Sequence, residues 1–283
     1  MIKLGFIDYY LDEWHANNYP KFITDCVGDE IKVAYAYGMI ASPKSGKTSA
    51  EWCEEHGIEL CLTIEEVIEK SDGLLVLSPD NAEMKEELSD LALKSGKPVF
   101  IDKTFTTGYE SGKRMFDLAE KYNTPVYTTS ALRYAPDYDE IDPKDVTAIE
   151  CIGPNDFDIY SIHMLEPLMK IMKTDAKKVM YTEGEGYYRL SIEFADGRPG
   201  SISGYMNKRF PYMIAVAGKT EHKVVKAANP FWPVFTEALC EFFKTKKPMV
   251  DHNESLAIMA IRSAGLEAMK KPGEWVALEN RGF

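Results

Sequence analysis

The sequence predicts an α/β protein: a Rossmann-like, doubly wound parallel sheet, followed by an α+β domain with a mostly antiparallel sheet. Over residues 1–130, short apolar runs alternate with longer segments of helical periodicity, as βαβ units require. Beyond residue 130, strand patterns follow one another, and Asp196-Gly197 is a dipeptide typical of a hairpin turn. The change of pattern predicts two domains, 1–130 and 131–283.

The composition is that of an acidic globular protein. Of 283 residues, 45% are hydrophobic, and 33 Lys and Arg against 45 Asp and Glu give a net charge of −12. This excludes wholesale disorder and disfavours nucleic acid, whose binding needs a basic surface. No apolar run approaches the ~20 residues of a membrane span, and the five cysteines form no C-x-x-C pair. We expect a cytoplasmic protein with reduced thiols, no membrane partner and no zinc cluster.

The first 130 residues contain five strand patterns separated by helical patterns. Strands are predicted at 2–7, 31–37, 74–77, 98–101 and 126–128, and helices at 12–27, 49–56, 84–94 and 109–122. Gly57 and Gly96 follow the ends of two helices. Thr63, with Glu66 three residues on, predicts a capping box at the start of a further helix. Helices between successive strands predict right-handed crossovers and one parallel sheet.

The second half predicts a sheet whose strands are mostly antiparallel. Its strand patterns are 146–152, 186–194, 200–206, 212–217 and 222–226, and its helices are 156–173, 233–244 and 254–269. We expect one free sheet face, carrying Tyr188, Leu190, Ile192, Tyr205 or Met206, and therefore a homo-oligomer. The alternative is that these side chains cover the helix at 156–173.

The first strand-to-helix turn departs from a dinucleotide cradle. Such a turn uses G-x-G-x-x-G to place backbone N–H groups against a pyrophosphate. Here Gly5 alone fits, and Ile7 stands in place of the second glycine. Asp8, Asp12 and Glu13 add negative charge where a pyrophosphate needs positive potential. The order of elements predicts a nucleotide-binding domain, whereas this turn argues against a nucleotide.

The end of the second strand lacks the acid that often binds the adenosine ribose. It reads Tyr35-Ala36-Tyr37-Gly38, which leaves Tyr37 as the candidate contact. The polar residues that follow are Ser42, Lys44, Ser45 and Lys47. They can hold a 2′-phosphate, which favours NADP over NAD; the alternative is a solvated turn.

Lys103 follows the fourth predicted strand, so it lies at the edge of the sheet where doubly wound folds bind ligands. An ammonium group there can transfer a proton or bind a substrate oxygen. The alternative is an ordinary exposed charge. The preceding Asp102 is expected on the opposite face of the strand, as a hinge or cap acid.

His163 flanks the apolar stripe of the helix at 156–173. Facing a cleft, it can serve as acid or base for a substrate hydroxyl, with Glu166 or Asp156 to orient it. The alternative is a structural histidine at the edge of a core. The remaining histidines, at positions 15, 56, 222 and 252, have no evident partner at ligand spacing, so no metal site is predicted.

Five segments in order resemble the Gfo/Idh/MocA (glucose–fructose oxidoreductase/inositol dehydrogenase) family, over about residues 31–278. They are 52–57 (A-x-x-x-G), 77–80 (T-P), 95–104 (x-G-K-H-V-x-x-E-K-P), 132–136 (R-R-F-x-P) and 159–163 (D-x-x-x-H). The segment 237–278 is similar to the closing helices of the family. Two departures stand out: Asp102-Lys103-Thr104 replaces E-K-P, and Ile159 replaces the acid before the histidine, with Asp158 adjacent.

The resemblance implies a reaction centre at Lys103 and His163, which flank the substrate carbon that exchanges hydride with nicotinamide. It also implies that Pro79 and Asp80 lie beside the nucleotide and Arg133 near the domain junction. The candidate cofactor-binding residues are Gly5, Ile7, Asp8, Tyr37, Ser78, Pro79, Asp80 and Asp102. The candidate substrate-binding residues are Arg133, Asp158 and Ile159.

We therefore expect residues 1–130 to bind NAD or NADP and residues 131–283 to bind substrate and mediate oligomerisation. The predicted activity is transfer of hydride between nicotinamide and a sugar, a cyclitol or a related polyol, without a metal. Two alternatives remain. One is a sugar-binding or regulatory protein that has lost the dinucleotide site. The other is a lyase or hydrolase that uses Lys103, His163 and Asp8 in the vacated pocket.

Overall fold

A computed structural model describes residues 1–278. The chain forms two units: Met1–Thr129 with Thr236–Val250, and Ser130–Phe235 with the residues from Asp251 onward. The predicted fold class is confirmed, because the first unit carries a parallel sheet and the second a mostly antiparallel one. Among the described residues, no helix is both long enough and apolar enough to cross a membrane.

The sheet of the first unit has six parallel strands in the order β3-β2-β1-β4-β5-β6. The strands are β1 (Ile2–Asp8), β2 (Ile31–Gly38), β3 (Glu59–Leu60), β4 (Gly73–Val76), β5 (Val99–Asp102) and β6 (Val126–Thr129). The chain builds outward from β1 to β3 and then returns to place β4 on the other side of β1. The strand order therefore reverses between β1 and β4, where doubly wound folds bind ligands.

Five helices connect these strands, as the sequence predicts, although β3 is an additional two-residue strand. They are α1 (Trp14–Val27), α2 (Ser49–His56), α3 (Ile64–Lys70), α4 (Lys85–Leu93) and α5 (Tyr109–Lys121). Gly57 ends α2 at a φ of 63°, in the left-handed region that glycine favours. The predicted capping box at α3 is only half formed. Thr63 accepts from the N–H of Glu66, but the Glu66 carboxylate accepts from the N–H of Leu62 instead of Thr63.

The second unit contains a seven-stranded sheet in the order β12-β11-β7-β10-β9-β8-β13. Its elements are β7 (Val146–Pro154), α6 (Phe157–Met172), β8 (Ala176–Gly184), β9 (Tyr187–Phe194), β10 (Pro199–Tyr205), β11 (Met213–Gly218), β12 (His222–Lys226), α7 (Trp232–Thr245), α8 (His252–Ala268) and β13 (Trp275–Ala277). β7 and β10 pair in parallel and the other neighbours pair antiparallel. From Thr236 onward, α7 belongs to the first unit, where Phe242 packs on Tyr127 with ring centroids 5.3 Å apart.

The prediction of an exposed sheet face in the second unit is wrong for three of the residues assigned to it. Tyr188, Leu190 and Ile192 are buried, and the Phe157 ring of α6 contacts Tyr188 at a centroid distance of 5.5 Å. These side chains therefore cover the helix, which is the alternative that the sequence left open. Of the expected set, Tyr205 and Met206 are exposed.

Candidate active site

Asp8 lies at the point where the strand order reverses. It ends β1, and its Oδ1 accepts the N–H of Ser78, just beyond β4, at 2.9 Å. The Asp8 side chain is fully buried, and its Oδ2 has no hydrogen-bond partner of good geometry among residues 1–278. Burial raises the pKa of Asp8 to about 8. Asp8 is therefore a mostly protonated, neutral acid at pH 7, so it places little negative charge at this edge.

Glu13 caps the start of α1 with its own side chain. Its carboxyl oxygens accept the N–H of His15, at 2.6 Å, and the N–H of Ala16. These amides are the groups with which a helix N-terminus binds an anion. Burial, and then the nearby Asp8, raise the pKa of Glu13 well above its usual value. The anion position at this helix is thus taken by a carboxyl group of the chain itself.

The other candidate cofactor-binding residues of β1 and β2 have mainly structural roles near the end of β1. At Gly5, an added Cβ would lie 2.3 Å from Ser71 Oγ and from Val67 Cγ1, so glycine lets α3 pack closely on β1. Ile7 is fully buried and pairs with Tyr37 of β2 and with Val76 of β4. Tyr37 is half-buried.

His15 and Asp102 form a buried pair that the sequence did not predict. His15 Nδ1 contacts the Asp102 carboxylate, which also accepts the Tyr19 hydroxyl at 3.0 Å. The expectation that Asp102 is a hinge or cap acid is therefore wrong. His15 lies in α1 and Asp102 in β5, 87 residues apart in the sequence. Local pattern alone cannot reveal such a pair.

The protonation of this pair follows from its surroundings. Burial lowers the pKa of His15, so the imidazole is neutral at pH 7. Although burial alone would raise the pKa of Asp102, the His15 ring and the ammonium groups of Lys85 and Lys103 hold it below its usual value. A carboxylate accepts hydrogen bonds only, so Nδ1 of the neutral His15 carries the proton and Nε2 carries the lone pair. His15 can act as a base through Nε2.

Two buried lysines lie next to this pair. Lys85 Nζ donates to the carbonyl oxygens of Asp102 at 2.6 Å and of Lys103 and Thr104 at 3.3 Å. Burial lowers the pKa of Lys85 to about 8. Lys103 is 7% exposed, and its Nζ donates to the carbonyl oxygen of Pro79 at 3.3 Å. Lys103 and Pro79 are therefore neighbours.

The polar loop after β2 is neutralised by carboxylates. Lys44 Nζ lies 2.7 Å from Asp80, and Lys47 Nζ lies 2.6 Å from Glu55. Ser45 donates to Asp12 at 2.5 Å. These contacts engage the groups that the sequence offered to a 2′-phosphate. They weaken the preference for NADP.

In the second unit, His163 of α6 is hydrogen-bonded to a hydroxyl group. Ser130 Oγ lies 2.7 Å from His163 Nδ1, and the rings of Tyr160 and Tyr212 contact the imidazole at centroid distances of 5.5 and 5.8 Å. The expected orienting acids have other described roles. Glu166 accepts the N–H of Ser130, and Asp156 caps α6 through the N–H of Ile159.

Arg133 is buried between two carboxylates in the second unit. Its guanidinium lies 3.3 Å from Glu166 and 2.5 Å from Glu254. Asp158 pairs with Arg262, whose side chain is 5% exposed, against 63% for Asp158. Arg133 and Asp158 thus have structural partners in addition to the substrate roles expected of them. Among residues 1–278, no three His, Cys, Asp or Glu side chains are grouped as metal ligands.

Solved structures place the chain in the class of two-domain proteins with a Rossmann-like first domain. A probable dehydrogenase from Thermotoga maritima has a TM-score of 0.80 at 14% identity, with 99% of each chain covered. A myo-inositol 2-dehydrogenase from Lactobacillus plantarum has a TM-score of 0.81 at 11% identity, covering 98% of this chain and 99% of that one. A scyllo-inositol dehydrogenase from Lactobacillus casei, with bound NAD(H) and scyllo-inositol, has a TM-score of 0.80 at 13% identity, covering 98% and 99%. At these identities the likeness establishes the fold.

A family model gives the more particular result. Residues 35–130 match the model GFO_IDH_MocA, described as an oxidoreductase family with an NAD-binding Rossmann fold. The predicted resemblance to the Gfo/Idh/MocA family is confirmed over these residues. The match begins in β2, after the turn between β1 and α1, whose sequence departs from G-x-G-x-x-G. No curated protein sequence matches this chain.

Proposed function

We propose that this protein is an oxidoreductase that acts on a hydroxyl-bearing carbon of a sugar, a cyclitol or a related polyol. The family match over residues 35–130 supports the reaction class, and the inositol dehydrogenases that share the fold support the substrate class. The observation that carries the proposal is the buried group at the end of β5. There Lys103 and the His15–Asp102 pair lie next to the point where the strand order reverses.

The proposed acid–base residues are Lys103 in the first unit and His163 in the second. The Lys103 ammonium can donate a hydrogen bond to a substrate oxygen, and His163 can exchange a proton with a substrate hydroxyl. Ser130 orients the His163 ring through Nδ1. When bound, a nicotinamide dinucleotide supplies hydride transfer, the chemistry that the family description implies.

The residues of the first turn do not fit a pyrophosphate as they stand. The two amides at the start of α1 that would bind it are bonded to the Glu13 carboxyl. Lys44 and Lys47, the candidate partners of a 2′-phosphate, are paired with carboxylates. NAD therefore remains the better supported dinucleotide, and its binding requires Glu13 to leave these amides.

The same observation favours a second candidate function. A carboxyl group that fills the anion position is also what a scaffold without a dinucleotide would contain. Such a protein would bind a sugar without redox activity, or act on it as a lyase or hydrolase with Lys103, His163 and Asp8. Product analysis without added nicotinamide separates these cases from the proposed oxidoreductase.

The test is turnover with NAD(H) and NADP(H) across a panel of sugars, cyclitols and polyols. We expect Lys103→Met and His163→Ala each to lower kcat/KM by about 10²–10⁴-fold, the usual contribution of an acid–base group. Lys113→Met is the matched control, because Lys113 is an exposed lysine whose described partner is Asp117 on the same helix. Full turnover in the Lys103→Met/His163→Ala double variant would refute the proposed mechanism.

The predicted homo-oligomer and cytoplasmic location stay predictions. The outward side of β9 is polar, with Arg189 Nη2 2.7 Å from Glu150, and it borders a groove of about 850 Å³. A second copy of the chain could cover this groove. Sedimentation at micromolar concentration tests the oligomer, and a monomer would contradict it.

A further inference from the structure

The turn between β1 and α1, residues 9–13 (the 9–13 turn), contains no glycine. None of its residues, all of which the structure describes, has a positive φ. The turn is also bonded to the segment after β2, since the carbonyl oxygens of Asp8 and Tyr9 accept the N–H groups of Met39 and Ile40 at 3.0 and 2.9 Å. Backbone hydrogen bonds therefore join the start of the turn to the segment after β2.

Three side chains of the 9–13 turn fill the edge where a dinucleotide would lie in a doubly wound fold. Leu11 is buried at the end of β2, where a Cβ added to Gly38 would come within 3.1 Å of Leu11 Cγ. Tyr10 is 4% exposed, and Lys44 Nζ lies 5.8 Å from its ring centroid. Glu13 occupies the first amides of α1.

Asp8 provides an independent observation at the same edge. Its carboxyl is fully buried below the turn, and its Oδ2 has no hydrogen-bond partner of good geometry in the described part of the chain. A buried polar atom without a partner costs free energy. A ligand group or a water molecule that forms a hydrogen bond with Oδ2 would remove that cost.

We infer that the 9–13 turn closes the dinucleotide groove of this chain, and that the Glu13 carboxyl is the group that must move before a diphosphate can bind. The inference rests on the proposed function only where the diphosphate is NADH. For ADP, which has the same diphosphate and ribose but no nicotinamide, it stands on the geometry alone. Both ligands need the two α1 amides that Glu13 now holds.

The experiment measures ADP and NADH binding by calorimetry, and the shift in Tm, for three full-length proteins. They are the wild type, Glu13→Gly and Glu13→Gln. Glycine frees the amides and is tolerated at an N-cap. Glutamine has one acceptor oxygen where the Glu13 carboxyl uses two, so it can hold only one of the two amides, and it also removes the charge. We expect Glu13→Gly to bind ADP about tenfold more tightly than wild type, and Glu13→Gln to bind ADP with an affinity between the two.

Equal ADP affinity of wild type and Glu13→Gly, whether tight or undetectable, would overturn the closure. ADP binding by Glu13→Gln as tight as by Glu13→Gly would also overturn it, because loss of the charge and not release of both amides would then be the cause. Failure of the proposed function gives a different result. In that case Glu13→Gly binds ADP and NADH more tightly than wild type does, but neither wild type nor Glu13→Gly turns over any substrate with a nicotinamide cofactor.

Discussion

The two units each hold a cluster of titratable side chains, and the clusters are built differently. In the first unit, the candidate groups are themselves the buried charges: Asp102 is bonded to His15 and lies beside Lys85 and Lys103. In the second unit, the candidate acid–base residue His163 is hydrogen-bonded to the uncharged Ser130 hydroxyl. The buried ion pairs there belong to Arg133 and its two glutamates.

The difference decides whether a substitution at a candidate site residue also changes the stability of the fold. A substitution in the first cluster removes a charge on which neighbouring pKa values depend, so it should change protonation and stability together. A substitution of Ser130 removes a single hydrogen bond from an uncharged hydroxyl group. Its effect on stability should be small and its effect on the histidine local.

The largest effect is expected for Asp102→Asn. The substitution keeps the shape but removes the negative charge to which His15 and Tyr19 are hydrogen-bonded. This charge also offsets the buried charges of Lys85 and Lys103 electrostatically. We expect the free energy of unfolding in urea to fall by about 3–5 kcal/mol. Asp80→Asn is the control, because the Lys44–Asp80 pair is exposed and should be worth less than about 1 kcal/mol. Equal losses in the two variants would contradict the buried network.

Asp8→Asn should change how stability depends on pH. The pKa of Asp8 is about 8 in the folded chain, against an ordinary value of 3.8. The folded state therefore binds more protons than the unfolded state between pH 4 and pH 8, so the contribution of Asp8 to stability is lost as the pH rises through this window. Asparagine does not titrate, and urea unfolding at several pH values should show a flatter profile.

Asp12→Asn is the control for that experiment. The hydrogen bond from Ser45 holds the pKa of Asp12 below its usual value, so its effect should appear only toward acid pH and with the opposite sign. An unchanged slope between pH 4 and pH 8 in Asp8→Asn would show that Asp8 is ionised in the folded protein.

Ser130→Ala should have a smaller effect. Removing the hydroxyl that bonds His163 Nδ1 is expected to lower the free energy of unfolding by about 1 kcal/mol and to shift the ring resonances of His163 by NMR. The His15 resonances in the first unit should not move. A shift of both histidines would break the distinction between the two clusters.

The smallest effect is expected for Lys44→Met. Lys44 is paired with Asp80 at an exposed position, so we expect a loss of stability below about 1 kcal/mol that disappears in high salt. A larger loss of stability in thermal unfolding, unchanged by salt, would mean that Lys44 stabilises the 9–13 turn through its contact with the Tyr10 ring.

The sequence predicted the long elements of both units because their signals are local. Strand and helix periodicity placed α2, and Gly57 marked its end. The short strands β3 and β13 were missed, since two or three residues carry no periodicity of their own. β8 was missed because only Val179 and Tyr181 of its nine residues are buried, which leaves little alternation to detect.

By itself, the sequence determined the fold class, the order of the elements and the departure from G-x-G-x-x-G, because each depends on residues that are close together in the sequence. Only the tertiary structure decided which face of β9 is covered and which side chains share a site. The pairing of His15 with Asp102 needs α1 and β5 side by side at one edge of the sheet. The protonation of Asp8 depends on burial, which the packing of the whole first unit sets.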